Sequence, residues 1–364
     1  MKIAILGGGQ LGKMFLQNAH NYPVECGVLD PDPQAPSRSL AHYFQQGDFR
    51  DYDTVMQFAA GYDIVTIEIE QVNLQALYEL ESQGKTVIPP PQILEIIQNK
   101  HTQKQFYLDN NIPTAPLVAQ DHYPQVQKLH TGGYDGRGVQ LLTADTQEKQ
   151  WAEPSIYEQV ADISLELSVI VVRTQAGESR TFPVVEQVFD PVYNQLDYLI
   201  SPARITPAIE EQARQIALDT VQQMGGVGIY AVELFLTHQG KIWVNEIAPR
   251  AHNSGHATIE GNHSSQYDML LRVLLDLPLA DTHPRSITAM LNVVGSESQQ
   301  GPARFAGMQQ ILAIPGTHLH WYGKSITKPG RKMGHITICG STHQEVQEQV
   351  ERIRPHAQVT AFNG

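Results

Sequence analysis

The sequence predicts an α/β chain that becomes α+β in its later lobes. Three observations carry this. A short apolar run, residues 2–6, leads into a glycine turn and then a helical stretch. Apolar strands then alternate with helix-period segments to about residue 95. Beyond about residue 112 the rhythm changes to alternating strands and a hairpin signature at His238-Gln239-Gly240. Strand–helix alternation builds a parallel sheet, whereas strands joined by short turns build antiparallel ones.

In order, the pattern predicts a strand at 2–6, a helix at about 12–19 and a strand at 24–29 that ends on Asp30. The PDPQAP stretch after it reads as a loop. A strand at 64–69, a helix at 74–82 and a strand at 86–88 follow, closed by Pro89-Pro90-Pro91. Residues 92–110 keep a helical period and lead out of the first domain. Strands are predicted at 155–159 and 165–172. Thr206-Pro207 starts a helix, with a capping hydroxyl and proline in the first turn, and Gly225-Gly226 ends it. Strands 228–236 and 241–247 form the hairpin. The region from 286 is β-rich and closes on a helix at 344–354.

At roughly 100–200 residues per domain, the chain holds two or three. The expected units are 1–95, 96–170 and 171–364. The formal charge of −13 argues against nonspecific nucleic-acid binding, which needs a basic face. No apolar run reaches the ~18 residues of a membrane span, and the first residues lack a cleavable signal, so a cytoplasmic protein is expected. Cys26 and Cys339, the only cysteines, cannot make a disulfide framework or a four-cysteine zinc site. Within this acidic chain Lys324, Lys328, Arg331, Lys332 and His335 cluster, as a phosphate site or as a solvated turn.

Four motifs carry chemistry. Gly7 to Gly12 satisfies G-x-G-x-x-G between strand and helix, with Asp30 where a dinucleotide enzyme holds its ribose. The turn suits a dinucleotide, another phosphate, or no ligand at all. Lys128 precedes the glycine-dense TGGYDGRG, which is not a P-loop but can cover nucleotide phosphates with backbone amides. Glu158-Gln159-Val160 ends a strand, where backbone groups can read an adenine edge and Glu166 can hold a ribose. Finally, the 228–247 hairpin brings Glu233 and Glu246 to one face. With Asn245 they form a hard-oxygen set suited to Mg²⁺ held with phosphates. Two close carboxylates without a cation would be strongly disfavoured.

The order of these motifs is more specific than any one. With Lys100 and the strings NEIAPRAHNSGH, HLHWYGK and KPGRKMGH, the chain resembles the ATP-grasp superfamily from residue 1 to about 355. Within it the chain resembles the N5-carboxyaminoimidazole ribonucleotide synthetase family. The resemblance implies a Rossmann-like N-terminal domain, a small ATP-grasp lobe and a mixed β lobe. It also implies ATP- and bicarbonate-dependent carboxylation of 5-aminoimidazole ribonucleotide, with Mg²⁺ or Mn²⁺, in purine biosynthesis. A homodimer and product handoff to a separate mutase are further implications.

By the same resemblance, Lys100, Lys128, Gly133, Tyr134, Asp135, Gly136, Arg137, Gly138, Val139, Glu158, Gln159, Val160, Glu166, Glu186, Asn245 and Glu246 would bind ATP. Glu233, Asn245 and Glu246 would hold the metal. Gly9, Gln10, Leu11, Glu68, Asn253, Lys324, Arg331 and Lys332 would bind the ribonucleotide, and Tyr134, Arg250 and Lys332 would be catalytic. One departure stands out. Only eleven residues separate Pro116 from Lys128, where the family carries a further helix. Alternatives are a formate-dependent glycinamide ribonucleotide formylating ligase, an NAD-dependent dehydrogenase using Gly7 to Gly12, and a non-catalytic ATP-binding regulator. The dehydrogenase leaves Lys128, Glu233 and Glu246 unexplained.

Overall fold

The structure is a computed structural model that describes residues 1–133, 138–191, 195–296 and 300–362. The N-terminal domain runs β1 (Lys2–Leu6), α1 (Gln10–Ala19), β2 (Glu25–Asp30), β3 (Tyr43–Gln46), α2 (Tyr52–Ala59), β4 (Ile64–Ile67), α3 (Leu74–Ser82) and β5 (Thr86–Ile88). Its five strands form a parallel sheet in the order β3-β2-β1-β4-β5. Strand β3 and helix α2 are additional to the elements that the sequence predicts. The first is a short, mostly exposed edge strand with little apolar signal. The second carried a legible one, because Asp51 caps it by accepting from Thr54 N–H.

The predicted 92–110 helix is two helices, α4 (Pro91–Ile97) and α5 (Lys100–Asp109). Asn99 breaks them, its side-chain Oδ1 accepting from the N–H groups of His101 and Thr102. Next come β6 (Gln125–Leu129), β7 (Val139–Leu142) and β8 (Ser155–Gln159), a three-stranded antiparallel sheet with β6 central.

The large lobe contains β9 (Ile163–Arg173), β10 (Ser179–Thr181), β11 (Val185–Asp190), β12 (Gln195–Ser201), α6 (Pro207–Gln223), β13 (Gly228–Thr237), β14 (Ile242–Ala248), α7 (Thr258–Gly261) and α8 (Gln266–Leu274). It continues through β15 (Ile287–Gly295), β16 (Gly301–Phe305), α9 (Met308–Leu312), β17 (Thr317–Trp321), β18 (Ile326–Thr327), β19 (Lys332–Gly340), α10 (His343–Ile353) and β20 (Gln358–Ala361). The sheet's main path is β14-β13-β9-β11-β12-β15-β20-β16-β18. Strand β9 belongs wholly to it, so the sheets part before Ile163, earlier than the expected boundary at 170.

Strand alternation gives this sheet two different faces. Leu167, Val169, Val171, Val232 and Leu234 point to α6 and share its core. Opposite them, Ile170, Val172, Ile229 and Ala231 pack with Met14, Phe15, Tyr267, Leu270 and Leu274. That second core joins α1 of the N-terminal domain to α8 of the large lobe, so the glycine turn is fixed relative to the large sheet. At ~1.5–3 kcal/mol per fully buried large apolar side chain, this shared core holds α1 against the large sheet.

Candidate active site

The residues expected on the ATP side are built on the hairpin. Glu233 pairs with Glu246 across β13 and β14, as the predicted hairpin requires. The register shifts between Glu233 and Leu234, since Leu234 pairs with Val244 and leaves Asn245 bulged. A bulge suspends strict alternation, so Asn245 and Glu246 can both serve the same region. Burial first, and then the neighbouring Glu246, push the Glu233 carboxyl up to about 8. Lys100, which pairs with Glu246, pulls that carboxyl down to about 2. Burial pulls the Lys100 ammonium down, but Glu246 outweighs it and its pKa ends raised.

Lys128 on β6 reaches across the cleft. Its Nζ donates to Asn245 Oδ1 at 2.8 Å and lies 2.8 Å from Glu158 Oε2. Glu158 is buried and also pairs with Lys104 Nζ at 2.7 Å. Burial alone would raise the Glu158 pKa, but Lys128 and Lys104 outweigh it and hold it low. Its side chain therefore organises lysines, and its backbone lies between Val126 of β6 on one side and Leu117 on the other. Gln159 N–H already donates to Pro116 O. Lys104, absent from the sequence reading, also donates to Thr114 Oγ1 at 2.7 Å.

Gly133 and Gly138 frame the glycine loop; Tyr134, Asp135, Gly136 and Arg137 lie outside the described residues. A Cβ on Gly138 would approach Gly133 Cα to 3.0 Å, and Gly138 has a φ of +74°, so this closure needs glycine. Val139 pairs with Lys128 at the base of the loop. Glu166 lies on β9 in register with Gln187 and Phe235, and burial pushes its carboxyl up to about 7.

Glu186, expected at the nucleotide, is engaged elsewhere. It is buried on β11 and bound to Arg204, whose Nε donates to Glu186 Oε2 at 3.1 Å. Its neighbour Gln187 takes the site face instead, with Nε2 3.5 Å from Glu233 Oε1. Period-two alternation is the signal that separates the two, once the register of β11 against β9 is known.

The first glycine turn holds no open cradle for a phosphate. Glu68 accepts from the N–H groups of Gly9 and Leu11, and Asp30 Oδ2 accepts from Gly8 N–H at 2.6 Å. The helix N-terminus that would attract an anion is thus satisfied by the chain's own carboxylates. Burial raises the pKa of Glu68, and Asp30 is turned inward, accepting from the N–H groups of Gly8 and Asp32. Gln10 and Leu11 begin α1 beside this carboxylate, and a narrow cavity here is lined by Leu11, Gly12, Glu68, Arg250 and Ala251.

The basic cluster folds back onto α1. Lys13 Nζ donates to Trp321 O at 2.8 Å and to Tyr322 O at 3.2 Å. Lys324 Nζ donates to Lys332 O, and Arg331 Nη1 to Ile326 O, both at 2.7 Å. His335 leaves the cluster: it is fully buried between His256 and His320, with ring centroids 4.6 Å and 4.3 Å away. Burial holds it neutral, well below the usual histidine range, so it adds no positive charge.

Between the ATP side and the basic cluster runs the segment after β14. Arg250 Nε lies 2.8 Å from Glu70 Oε1, and His252 Nε2 lies 3.9 Å from Glu233 Oε1. Both amide atoms of Asn253 are buried with no hydrogen bond to the described residues, the state expected of a group that meets a ligand.

Comparison with known proteins identifies this arrangement. Family models match residues 1–98 (ribonucleotide synthetase preATP-grasp domain), 98–267 (ATP-grasp domain) and 288–349 (phosphoribosylaminoimidazole carboxylase C-terminal domain). The N5-carboxyaminoimidazole ribonucleotide synthase of Synechococcus elongatus is 34% identical over 99% of this chain and 95% of its own. The chain belongs to the N5-carboxyaminoimidazole ribonucleotide synthase family. The crystal structure of the Thermotoga maritima synthetase matches with a TM-score of 0.92 and 37% identity, over 99% of both chains. An Aspergillus clavatus synthase in complex with ADP and 5-aminoimidazole ribonucleotide matches with a TM-score of 0.88 and 33% identity, over 98% of both. Phosphoribosylaminoimidazole carboxylases of Ogataea methanolica and Vigna aconitifolia also match, and the chain spans about two thirds of their length. As an ATP-grasp family member with a parallel N-terminal sheet and a mixed later sheet, the chain has the fold class that its sequence predicts. Among the described residues no helix is long and apolar enough to cross a membrane.

Proposed function

We propose that this chain carboxylates the exocyclic amine of 5-aminoimidazole ribonucleotide, using ATP and bicarbonate. The observation that carries the reading is a pair of cationic stations joined by one polar segment. Lys100 and Lys128 face the Glu233–Glu246 pair at one end, and Lys324, Arg331 and Lys332 gather beside α1 at the other. Arg250, His252 and Asn253 run between them. Two anionic substrates can therefore be held apart at their phosphates and brought together at their reacting ends.

Bicarbonate is a poor electrophile. Attack of its oxygen on the γ-phosphorus of ATP gives carboxyphosphate and releases ADP. Breakdown of carboxyphosphate gives phosphate and CO₂ beside the amine, whose nitrogen then bonds to carbon and loses a proton. Lys100 and Lys128 supply positive charge where the phosphoryl group transfers. The two carboxylates and Asn245 form an oxygen-rich set that fits Mg²⁺, because Glu233 is unfavourable as a bare anion beside Glu246. Bound there, the metal would neutralise phosphate charge. The acidic glycine turn disfavours phosphate, so the ribonucleotide phosphate belongs on Arg331, Lys324 and Lys332, and Glu68 is suited to accept from hydroxyls. A homodimer and handoff of product to a separate mutase belong to the same proposal.

ADP release with and without bicarbonate and 5-aminoimidazole ribonucleotide tests the reading. ADP formation should require both. ATP hydrolysis indifferent to either one would overturn it.

A further inference from the structure

We infer that Gln266 is a positioning residue for the ribonucleotide side: its side-chain amide sets the path of His252-Asn253 and the tautomer of His256. The inference rests on the proposed function only in taking Asn253 to face the ribonucleotide. Gln266, the first residue of α8, is fully buried. Its Oε1 accepts from His252 N–H at 2.9 Å, and its Nε2 donates to His252 O at 2.9 Å. The amide thus pairs with one backbone residue at both its donor and its acceptor, as a neighbouring strand would. Gln266 N–H donates to Thr258 Oγ1 at 2.9 Å, and Thr258 Oγ1 donates to Gly255 O at 2.6 Å, closing the segment on its far side.

The local sequence leaves room for this clamp. A Cβ on Gly255 would lie 2.3 Å from Gln266 Oε1, so any side chain there would expel the amide. The result is that Asn253 is carried into place by its predecessor's backbone, since no hydrogen bond to the described residues holds its own amide.

The same geometry fixes a proton. A backbone N–H can only donate and a backbone C=O can only accept, so His252 orients the Gln266 amide without ambiguity. The second hydrogen on Nε2 then points to His256 Nδ1, 3.1 Å away. His256 must accept there and carry its proton on Nε2. Tyr267 Oη, 3.4 Å from the same Nδ1, has Met14 Sδ as its own acceptor at 3.7 Å and need not compete for that lone pair. Burial, with His320, His252, Lys332 and Arg250 adding to it, keeps His256 neutral, so the tautomer persists. An ordered neutral ring in turn stacks on His335.

Two measurements on the full chain test this. In histidine ¹⁵N NMR, wild-type His256 should be the Nε2–H tautomer from about pH 6 to about pH 8. In Gln266→Glu the carboxylate can only accept, so the proton should move to Nδ1. An Nδ1–H wild-type ring overturns the inference whatever the enzyme's activity. In steady-state kinetics, Gln266→Glu should raise KM for 5-aminoimidazole ribonucleotide about tenfold or more while KM for ATP stays within about twofold. Gln266→Met keeps the size without the hydrogen bonds and should show the same split if the carboxyl variant does not fold. Unchanged KM values, or equal loss toward both substrates, overturn the positioning role. If wild type shows no ribonucleotide-dependent turnover, the functional reading fails, and the tautomer result alone decides the clamp.

Discussion

Replacing Glu233 with glutamine should stabilise the metal-free chain, and only above mildly acidic pH. The wild-type carboxyl is pushed up to about 8 from an ordinary value of 4.5. Between those values the unfolded chain has lost the proton that the native chain keeps. Stability therefore falls as pH rises through that window and is unaffected below it. The full interval corresponds to roughly 5 kcal/mol at ~1.4 kcal/mol per unit. The Glu233 side chain is itself 16% exposed and the repelling Glu246 is 44% exposed, so solvent relieves both the burial and the repulsion, and the expected loss is on the order of 2 kcal/mol. Glutamine has the same shape and no charge to lose. In urea unfolding, Glu233→Gln should match wild type near pH 5 and exceed it by about 2 kcal/mol near pH 9. Excess Mg²⁺ should close that gap by stabilising wild type more than the variant. Parallel pH profiles would refute the buried-carboxylate argument, and equal stabilisation of both proteins by Mg²⁺ would refute the metal assignment.

Further outcomes follow from the same geometry. Arg331→Ala or Lys332→Ala should raise KM for 5-aminoimidazole ribonucleotide ten- to hundredfold, about the worth of one charge-assisted bond, and leave KM for ATP alone. Equal loss toward both substrates would point to misfolding. Glu246→Gln should abolish turnover and preserve the circular dichroism spectrum; near wild-type activity at ordinary Mg²⁺ would remove Glu246 from the site. Glu186→Gln weakens the pair with Arg204, so it should cost roughly 1–2 kcal/mol in thermal unfolding without changing KM for ATP. A large rise in that KM would return Glu186 to the nucleotide site. Lys104→Met should lower stability by roughly 3 kcal/mol. It should also weaken ATP binding in calorimetry, and unchanged binding would separate Lys104 from the site.

What was legible in the sequence was local or patterned. Helix α3 and strand β5 follow from periodicity and their terminators, and the Glu233–Glu246 pairing follows from hairpin symmetry about His238-Gln239-Gly240. What stayed hidden depends on long-range register or on what the rest of the chain puts next to a motif. The bulge at Asn245 exists only in the pairing of two strands. Glu186 and Gln187 are adjacent in sequence, and only the partner strand says which one faces the cleft. The glycine turn carries every mark of an anion site, yet Glu68, more than fifty residues away, already holds it. Lys104 looks like any surface lysine of a helix until β8 brings Glu158 beneath it. His335 counts as a cation in the sequence and is a neutral ring in the structure.

These corrections bear on how a chain with a net charge of −13 handles two anionic substrates. Bulk charge works against it, so the positive field must be local. At the ATP side Lys104 and Lys128 share the single carboxylate of Glu158, and Lys100 shares Glu246. With Glu233 protonated near neutral pH, three ammonium groups face two carboxylates, one positive charge in excess. A one-to-one pairing of Lys128 with Glu158 would cancel the charge that the phosphates need. Lys104 prevents this by taking half of Glu158, and with a side chain 3% exposed against 9% for Lys128 it is the less available of the two to the nucleotide. The buried lysine thus frees the one at the cleft. Buried ion pairs often add little to stability, and this one is better understood as the means by which Lys128 stays both fixed in place and electrostatically open.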